Sequence, residues 1–135
     1  MSSDQTEYSP DNWPAARWTN FSYKEIACQH CGRLALHDGS MDNLQRLRTS
    51  LGSSIRITSG YRCPDHPIEA VKERPGSHSK GRAFDIACSG GGADKIIRLS
   101  YDAGFTRRGV SQSNGDRRKR FIHLDTAGLS MVWSY

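Results

Sequence analysis

Long hydrophobic stretches are missing from this sequence of 135 residues. A membrane-spanning helix needs roughly 18 consecutive apolar residues, and no run approaches that length. The amino-terminal segment, residues 1–12, is polar and acidic and lacks the apolar core of a secretory signal peptide. We therefore expect a protein made in the cytoplasm, without a membrane span, that depends on another factor for release if its substrate lies outside.

Apolar residues are also few, at 36% of the chain, which includes 4 cysteines. A chain of this length can still bury one core without disulfides. The 13 glycines indicate a loop-rich fold. We expect a single folded domain over residues 21–135, preceded by an extended arm over residues 1–20 whose Trp13 and Trp18 pack onto it.

The segment 76–87, GSHSKGRAFDIA, combines groups that typically bind a metal. His78 and Asp85 stand seven residues apart, and Asp85 lies in the strand-like run Ala83–Ala87. Gly81 permits a tight turn between them, and the small Ala83 leaves room beside the site. An imidazole from the loop and a carboxylate from the strand can therefore bind the same divalent cation.

A third ligand is predicted in the strand-like run FIHLD, residues 121–125. Alternation places Phe121, His123 and Asp125 on one face of that strand. Taken singly, each candidate ligand is more simply explained as a loop histidine, a strand-edge carboxylate or a half-buried imidazole. Together they favour a catalytic Zn²⁺ site, which typically has three protein ligands and one water.

These motifs resemble those of a family of zinc peptidases. H-x-x-G-x-A-x-D at residues 78–85, the late F-I-H-L-D and the upstream I-T-S-G-Y-R at residues 57–62 are similar to D-Ala-D-Ala carboxypeptidases and dipeptidases and to phage L-alanyl-D-glutamate endopeptidases. The resemblance extends from about Phe21 to the closing Trp133-Ser134-Tyr135. The amino-terminal signalling domain of Hedgehog proteins shares the fold of this family. It implies Zn²⁺ as cofactor, held by His78, Asp85 and His123, and peptidoglycan stem peptides as substrate.

The resemblance also implies catalytic roles. Arg62, sixteen residues before His78, would bind a substrate carbonyl or carboxylate and stabilise the oxyanion; a structural ion pair is its alternative. Zinc would polarise the scissile carbonyl and lower the pKa of its water to roughly 7, and a carboxylate would take the proton. Several relatives carry that acid three positions before the last histidine, where this chain has Arg120. Asp116 is then a candidate base, and Asp125 a candidate base or, preferably, a support for a ligand.

The expected fold is α+β, with two helices packed on a small, largely antiparallel sheet that carries the metal site on one face. Ser40–Gly52 has helical apolar spacing, with Ser40 as the expected cap and Gly52 as the end. A second helix is expected over Ala93–Ala103 after a flexible link, Gly90–Gly92. Ile55–Thr58 and Phe105–Val110 should be further strands, residues 63–76 and 111–120 loops, and residues 127–135 a tail with Trp133 near the site or core.

The cysteines allow more than one structure. Cys28-Gln29-His30-Cys31-Gly32 is a C-x-x-C-G knuckle typical of metal sites, but a structural zinc needs four ligands. Cys63 and Cys88 could complete the set, with His30 or His37 as substitutes. Free thiols, or a disulfide formed after release, are the alternatives.

Positive charge is concentrated late in the chain, whose net charge is +5. Residues 117–120 read RRKR, and a solvated hairpin tip explains them at least as well as a binding surface does. If functional, they would bind a polyanion such as an anionic cell-wall polymer. No aromatic residues alternate with the cations, so the run does not favour nucleic acid as a partner.

Two functions from different classes follow. The first is a zinc peptidoglycan peptidase encoded by a phage or prophage, made in the bacterial cytoplasm and acting on the cell wall after release or as a virion component. The second is a non-catalytic zinc-binding structural or virion module of the same fold. Arg62 and the three-ligand site favour the first, and the missing acid at position 120 favours the second.

Overall fold

The computed structural model describes residues 3–74 and 76–135. Within them the chain forms seven strands, four α-helices and one 3₁₀ helix, the last at Arg117–Lys119. In chain order the other elements are β1 (Thr6–Tyr8), α1 (Tyr23–Ile26), β2 (Leu34–Leu36), α2 (Asp38–Leu51), β3 (Arg56–Ser59), α3 (Pro67–Ala70), β4 (Ala83–Ala87), α4 (Gly90–Ala103), β5 (Arg107–Ser111), β6 (Phe121–Asp125) and β7 (Met131–Ser134).

The main sheet has the spatial order β3-β4-β6-β5-β7. Its first three pairings are antiparallel and the last, β5 with β7, is parallel. β1 and β2 form a separate antiparallel pair. The architecture is therefore α+β with a small, largely antiparallel sheet, as the sequence predicted.

The two faces of the sheet differ in chemistry because side chains alternate along each strand. Phe84 and Ile86 of β4 and Ile122 and Leu124 of β6 are fully buried in the core that includes α2 and α4 residues. Asp85 and His123 occupy the intervening positions and therefore lie on the opposite face. This alternation separates the apolar core from the polar site.

Both long helices begin before their predicted starts. α2 is capped by His37, whose Nδ1 accepts the Ser40 amide at 3.1 Å, so the prediction of Ser40 as cap is wrong. α4 begins at Gly90, so Gly90–Gly92 are its first turn and not a flexible link. Both helices end as expected at a left-handed glycine, Gly52 and Gly104.

Three segments predicted as irregular contain regular structure. The loop 111–120 includes the 3₁₀ helix Arg117–Lys119. The loop 63–76 includes α3, while Pro75 within it lies outside the described residues. The carboxy-terminal tail includes β7, which pairs with β5 and forms one edge of the sheet. Short elements of this kind depend on tertiary pairing more than on local sequence.

The amino-terminal segment packs against the rest of the chain. Trp18 is 0% exposed and belongs to the main hydrophobic cluster, and its Nε1–H donates to Asp42 of α2 at 2.9 Å. Tyr8 and Trp13 pack edge-on or tilted around its ring. None of the helices in residues 3–74 and 76–135 has the length and apolar character needed to cross a bilayer.

Candidate metal centre and active site

Three potential ligands converge on the polar face of the sheet. Asp85 of β4 lies directly opposite His123 of β6 in the antiparallel register, and His78 approaches from the loop before β4. One ligand atom of each lies within 4.8 Å of the others. All three residues are buried, with 5–8% of their surface exposed. The structure thus brings together the three residues that the sequence predicted as ligands.

The His78 loop is fixed by a tight turn and a close backbone approach. Gly81 has a φ of +67°, and a Cβ atom there would lie 2.4 Å from the Ala35 carbonyl oxygen. The Nδ1–H of His78 donates to the Gly60 carbonyl at 2.7 Å. Its Nε2 then carries the lone pair and faces Asp85 Oδ1 at 3.4 Å. This tautomer presents Nε2 as a ligand atom.

The ring of His123 is held from its outer side by a fully buried carboxylate. Its Nε2–H donates to Asp125 Oδ2 at 2.6 Å, while Nδ1 lies 3.0 Å from Asp85 Oδ1. Asp125 is itself fixed by the Ala127 amide at 2.9 Å and by Arg107 Nε at 3.1 Å. A carboxylate behind a histidine in this way is typical of metal ligands, because it sets the tautomer and increases ligand basicity.

The pKa values of Asp85 and His123 follow from these contacts. Burial opposes ionisation of Asp85, but the neighbouring His123 and His78 side chains hold the pKa of its carboxyl below the usual range. Burial likewise opposes protonation of His123, yet Asp125 and Asp85 together raise the pKa of its imidazole. Asp85 therefore stays ionised although it is buried, as a carboxylate that binds a divalent cation must be.

The donor set fits zinc. Two imidazole nitrogens and one carboxylate oxygen are ligands that catalytic Zn²⁺ sites use, and each histidine has its second nitrogen satisfied by a hydrogen bond. Without a cation, the buried Asp85 carboxylate has only the two histidines and the long ion pair with Arg62 as partners among the described contacts. The arrangement is therefore suited to hold a metal.

Arg62 lies beside the three ligands. Its Nη2 is 3.5 Å from Asp85 Oδ2, and its Nε donates to Ser59 Oγ at 3.1 Å. The side chain is 15% exposed and is therefore mostly buried beside the ligands. This position is compatible with both roles considered for it, a substrate-binding group and an ion-pair partner.

Asp116 has its contacts within its own loop. Its carboxylate caps the 3₁₀ helix through the Arg118 amide at 3.0 Å and also pairs with the Arg118 guanidinium. Arg120 donates to the Asn114 carbonyl of the same loop at 2.7 Å. Of the two proposed carboxylates, the structure thus brings Asp125 to the ligands and keeps Asp116 bonded to Arg118.

Two residues near the ligands were not predicted to have roles. Arg107 pairs with Asp125, and it could have been found from its register opposite that residue once the strand order was known. Gly109 lies between His123 and Trp133 across the sheet, and a Cβ there would be 2.7 Å from the indole ring. Its missing side chain lets Trp133 lie 5.3 Å from the His123 ring. The predicted proximity of Trp133 to the site or core is therefore confirmed.

Comparison with known proteins agrees with this geometry. No curated protein gives a significant match to the chain. The model of the family described as Peptidase M15 matches residues 19–125, which is more than half of the chain and includes all three candidate ligands. The chain therefore belongs to the peptidase M15 family, the group of zinc D-Ala-D-Ala carboxypeptidase-like proteins whose motifs it shares.

Proposed function

We propose that this chain is a zinc metallopeptidase that hydrolyses a peptide bond in peptidoglycan stem peptides, as a D-Ala-D-Ala carboxypeptidase or an L-Ala-D-Glu endopeptidase. The observation that carries the proposal is the convergence of His78, Asp85 and His123 in a chain of the M15 family. We further propose that it is phage or prophage encoded and reaches the cell wall after release or as part of a virion.

His78 Nε2, Asp85 Oδ1 and His123 Nδ1 are the proposed ligand atoms. When bound, a zinc ion supplies a Lewis acid and activates a water molecule near neutral pH. Asp125 keeps the proton of His123 on Nε2 and thereby leaves Nδ1 free to bind the metal. The Gly60 carbonyl oxygen keeps the proton of His78 on Nδ1 and thereby leaves Nε2 free to bind the metal.

Arg62 is proposed to bind a substrate carboxylate or carbonyl oxygen. Its guanidinium offers five donors, and only the bond to Ser59 and the long ion pair with Asp85 use them among the contacts described above. The remaining N–H groups belong to a guanidinium that lies beside the three ligands. They are therefore suited to stabilise negative charge that develops on a scissile carbonyl.

A general base is the least defined role. Asp125 contacts His123, Arg107 and the Ala127 amide, so its oxygens are already occupied in support of the ligand. Asp116 is the remaining candidate and would have to leave Arg118 to act. Asp116→Ala and Asp125→Ala test both assignments: the base is the residue whose variant keeps zinc and loses hydrolysis, and neither assignment survives if both variants hydrolyse at the wild-type rate.

The test of the proposed function is mass spectrometry of purified peptidoglycan after digestion by the zinc-loaded protein. New stem-peptide fragments identify the bond from their masses, and they should vanish with His78→Ala. Wall preparations of several chemistries are needed because the bond is unassigned. Zinc-loaded protein that leaves all of them intact contradicts the proposal.

A second candidate is a non-catalytic zinc-binding structural or virion module of the same fold. It is favoured by Arg120, which replaces the acid of several relatives, and by the occupied carboxylates of Asp116 and Asp125. This module would bind zinc as tightly as an enzyme and produce no fragments in the same digestion. The experiment above therefore separates the two.

The basic run is proposed as a contact for an anionic cell-wall polymer. Arg117, Arg118 and Lys119 are all exposed in the 3₁₀ helix. Binding of purified teichoic acid should weaken as salt is raised and should fall when the three cations are changed to Ala. Unchanged binding in that variant contradicts a role for the run.

A further inference from the structure

Three cysteines from two distant parts of the chain meet on the structure. Cys28 and Cys31 lie on the loop between α1 and β2, and Cys63 lies just after β3. Their sulfur atoms are all within 4.8 Å of one another. In a tetrahedral site with Zn–S bonds of about 2.3 Å, sulfur atoms are separated by about 3.8 Å, so small side-chain movements suffice to place a metal between them.

We propose that Cys28, Cys31 and Cys63 form a second, structural metal site for a thiophilic divalent cation such as Zn²⁺, with His66 or His30 as fourth ligand. The proposal is independent of the peptidase activity. It also narrows the alternatives for the knuckle to these three cysteines and one of two histidines.

The loop that carries Cys28 and Cys31 is shaped to direct backbone amides at sulfur. Gly32 has a φ of +75°, and its amide donates to the Cys28 carbonyl at 2.8 Å, which reverses the chain directly after Cys31. The Cys63 amide donates to Cys28 Sγ at 3.3 Å, and the amides of His30 and Cys31 face the same sulfur. Amide donors of this kind stabilise the thiolate that binds a metal.

Two histidines are close in sequence to the cysteines, although their ring nitrogens lie outside the group of atoms within 4.8 Å of one another. His30 precedes Cys31, and His66 follows Cys63 by three residues. Their rings lie 6.0 Å apart, and His66 Nδ1 accepts the Ile68 amide, which leaves Nε2 available. Cys88 and His37 are used elsewhere, since the Cys88 thiol donates to the Ile86 carbonyl and His37 caps α2.

A metal at this site would link residues 60–63, which lie beside the candidate ligands, to the loop between α1 and β2. Residues 60–63 carry Gly60, which orients His78, and Arg62. This segment already contacts the α1 loop through the Tyr61 amide, which donates to the Ile26 carbonyl at 2.9 Å, and through Gly60, where a Cβ would lie 2.6 Å from the same oxygen. A metal on Cys28, Cys31 and Cys63 adds a third link at the adjacent residue.

The experiment measures metal content and cobalt spectra of the full chain, purified under reducing conditions. Elemental analysis should find two zinc ions per chain, one for each cluster, and one in either Cys31→Ser or His78→Ala. Replacement of zinc by Co²⁺ should give a sulfur-to-cobalt charge-transfer band that persists in His78→Ala and is lost in Cys31→Ser. Since Cys31 is exposed, its variant should fold, and circular dichroism checks this.

Cys88→Ser is the matched control, because this thiol lies outside the cluster and its loss should leave both readings unchanged. His30→Ala and His66→Ala identify the fourth ligand: it is the histidine whose replacement shifts or weakens the cobalt band. Amide exchange in residues 60–63 should rise in Cys31→Ser. A Cys28–Cys63 disulfide in the protein as isolated, or a cobalt spectrum without a thiolate band, overturns the proposal.

Discussion

At the residue scale, Asp125 is the most specific support of the proposed ligands. Its Oδ2 accepts the His123 Nε2–H at 2.6 Å, and an amide in its place is a weaker acceptor that can also present the wrong group. Asp125→Asn should therefore weaken zinc binding by about 10- to 100-fold while the fold persists. Competition with a chromogenic chelator measures the affinity.

Asp116→Asn is the matched control for that substitution. The same chemical change occurs in a loop where the carboxylate contacts Arg118 and none of the three ligands among the described contacts. Zinc affinity should stay at the wild-type value. Equal affinities in Asp125→Asn and wild type would contradict the role given to Asp125.

Arg62 separates a substrate-binding role from a structural one. Arg62→Lys keeps a positive charge but loses the forked donor geometry, so kcat/KM for peptidoglycan fragments should fall by about 10²- to 10³-fold with zinc retained. Steady-state kinetics and metal analysis of the same preparation are the measurements. A variant that loses zinc at unchanged activity per bound metal would assign Arg62 to the ion pair with Asp85 instead.

At the scale of elements, β5 is predicted to need a glycine opposite the site. Gly109→Ala would place a methyl group 2.7 Å from the Trp133 ring, so either the indole leaves His123 or the sheet shifts. Overpacking of this kind costs about 1–3 kcal/mol. Urea denaturation measures the loss, and tryptophan fluorescence should report the altered Trp133 environment.

A matched control for Gly109→Ala is Gly91→Ala in α4, where nothing lies within 4 Å of the added Cβ. Alanine favours the helix over glycine, so this variant should be as stable as wild type or more so. If both variants had wild-type stability and fluorescence, the close approach of Trp133 to β5 would be wrong.

The amino-terminal segment is predicted to contribute to the core. Trp18 is 0% exposed among α2 and arm aromatics, so Trp18→Ala should cost about 3–5 kcal/mol of unfolding free energy. Leu129→Ala, at a residue 91% exposed, is the control and should change little. Equal denaturation midpoints for the two variants would contradict the packing of this segment.

At the scale of the whole molecule, the elements that hold the site were the most predictable. β4 and β6 have the predicted bounds because alternation over five residues is a strong local signal. β1, β2 and β7 are three or four residues long and are defined by their partners, which a single sequence does not show. Gly90–Gly92 joined α4 because the packing of Ala93 and Ile96 outweighs the low helix propensity of glycine.

The candidate site divides in the same way. His78, Asp85 and His123 were predictable because each lies in a short local pattern. His78 belongs to the loop before a strand-like run, and Asp85 and His123 each belong to a strand-like run of their own. The pairing of Asp125 with Arg107 and the close approach of Trp133 to Gly109 depend on the strand order β4-β6-β5-β7, which follows from long-range pairing. Likewise, Cys63 joins Cys28 and Cys31 through the contact of residues 60–63 with Ile26, which no local pattern reveals.

The central claim is that a zinc ion binds between His78 Nε2, Asp85 Oδ1 and His123 Nδ1. Anomalous diffraction from crystals of the zinc-loaded protein, recorded on both sides of the zinc absorption edge, locates the metal directly. We expect an edge-dependent peak within about 2.0–2.2 Å of all three atoms. A zinc-loaded crystal with no peak among these three side chains would contradict it.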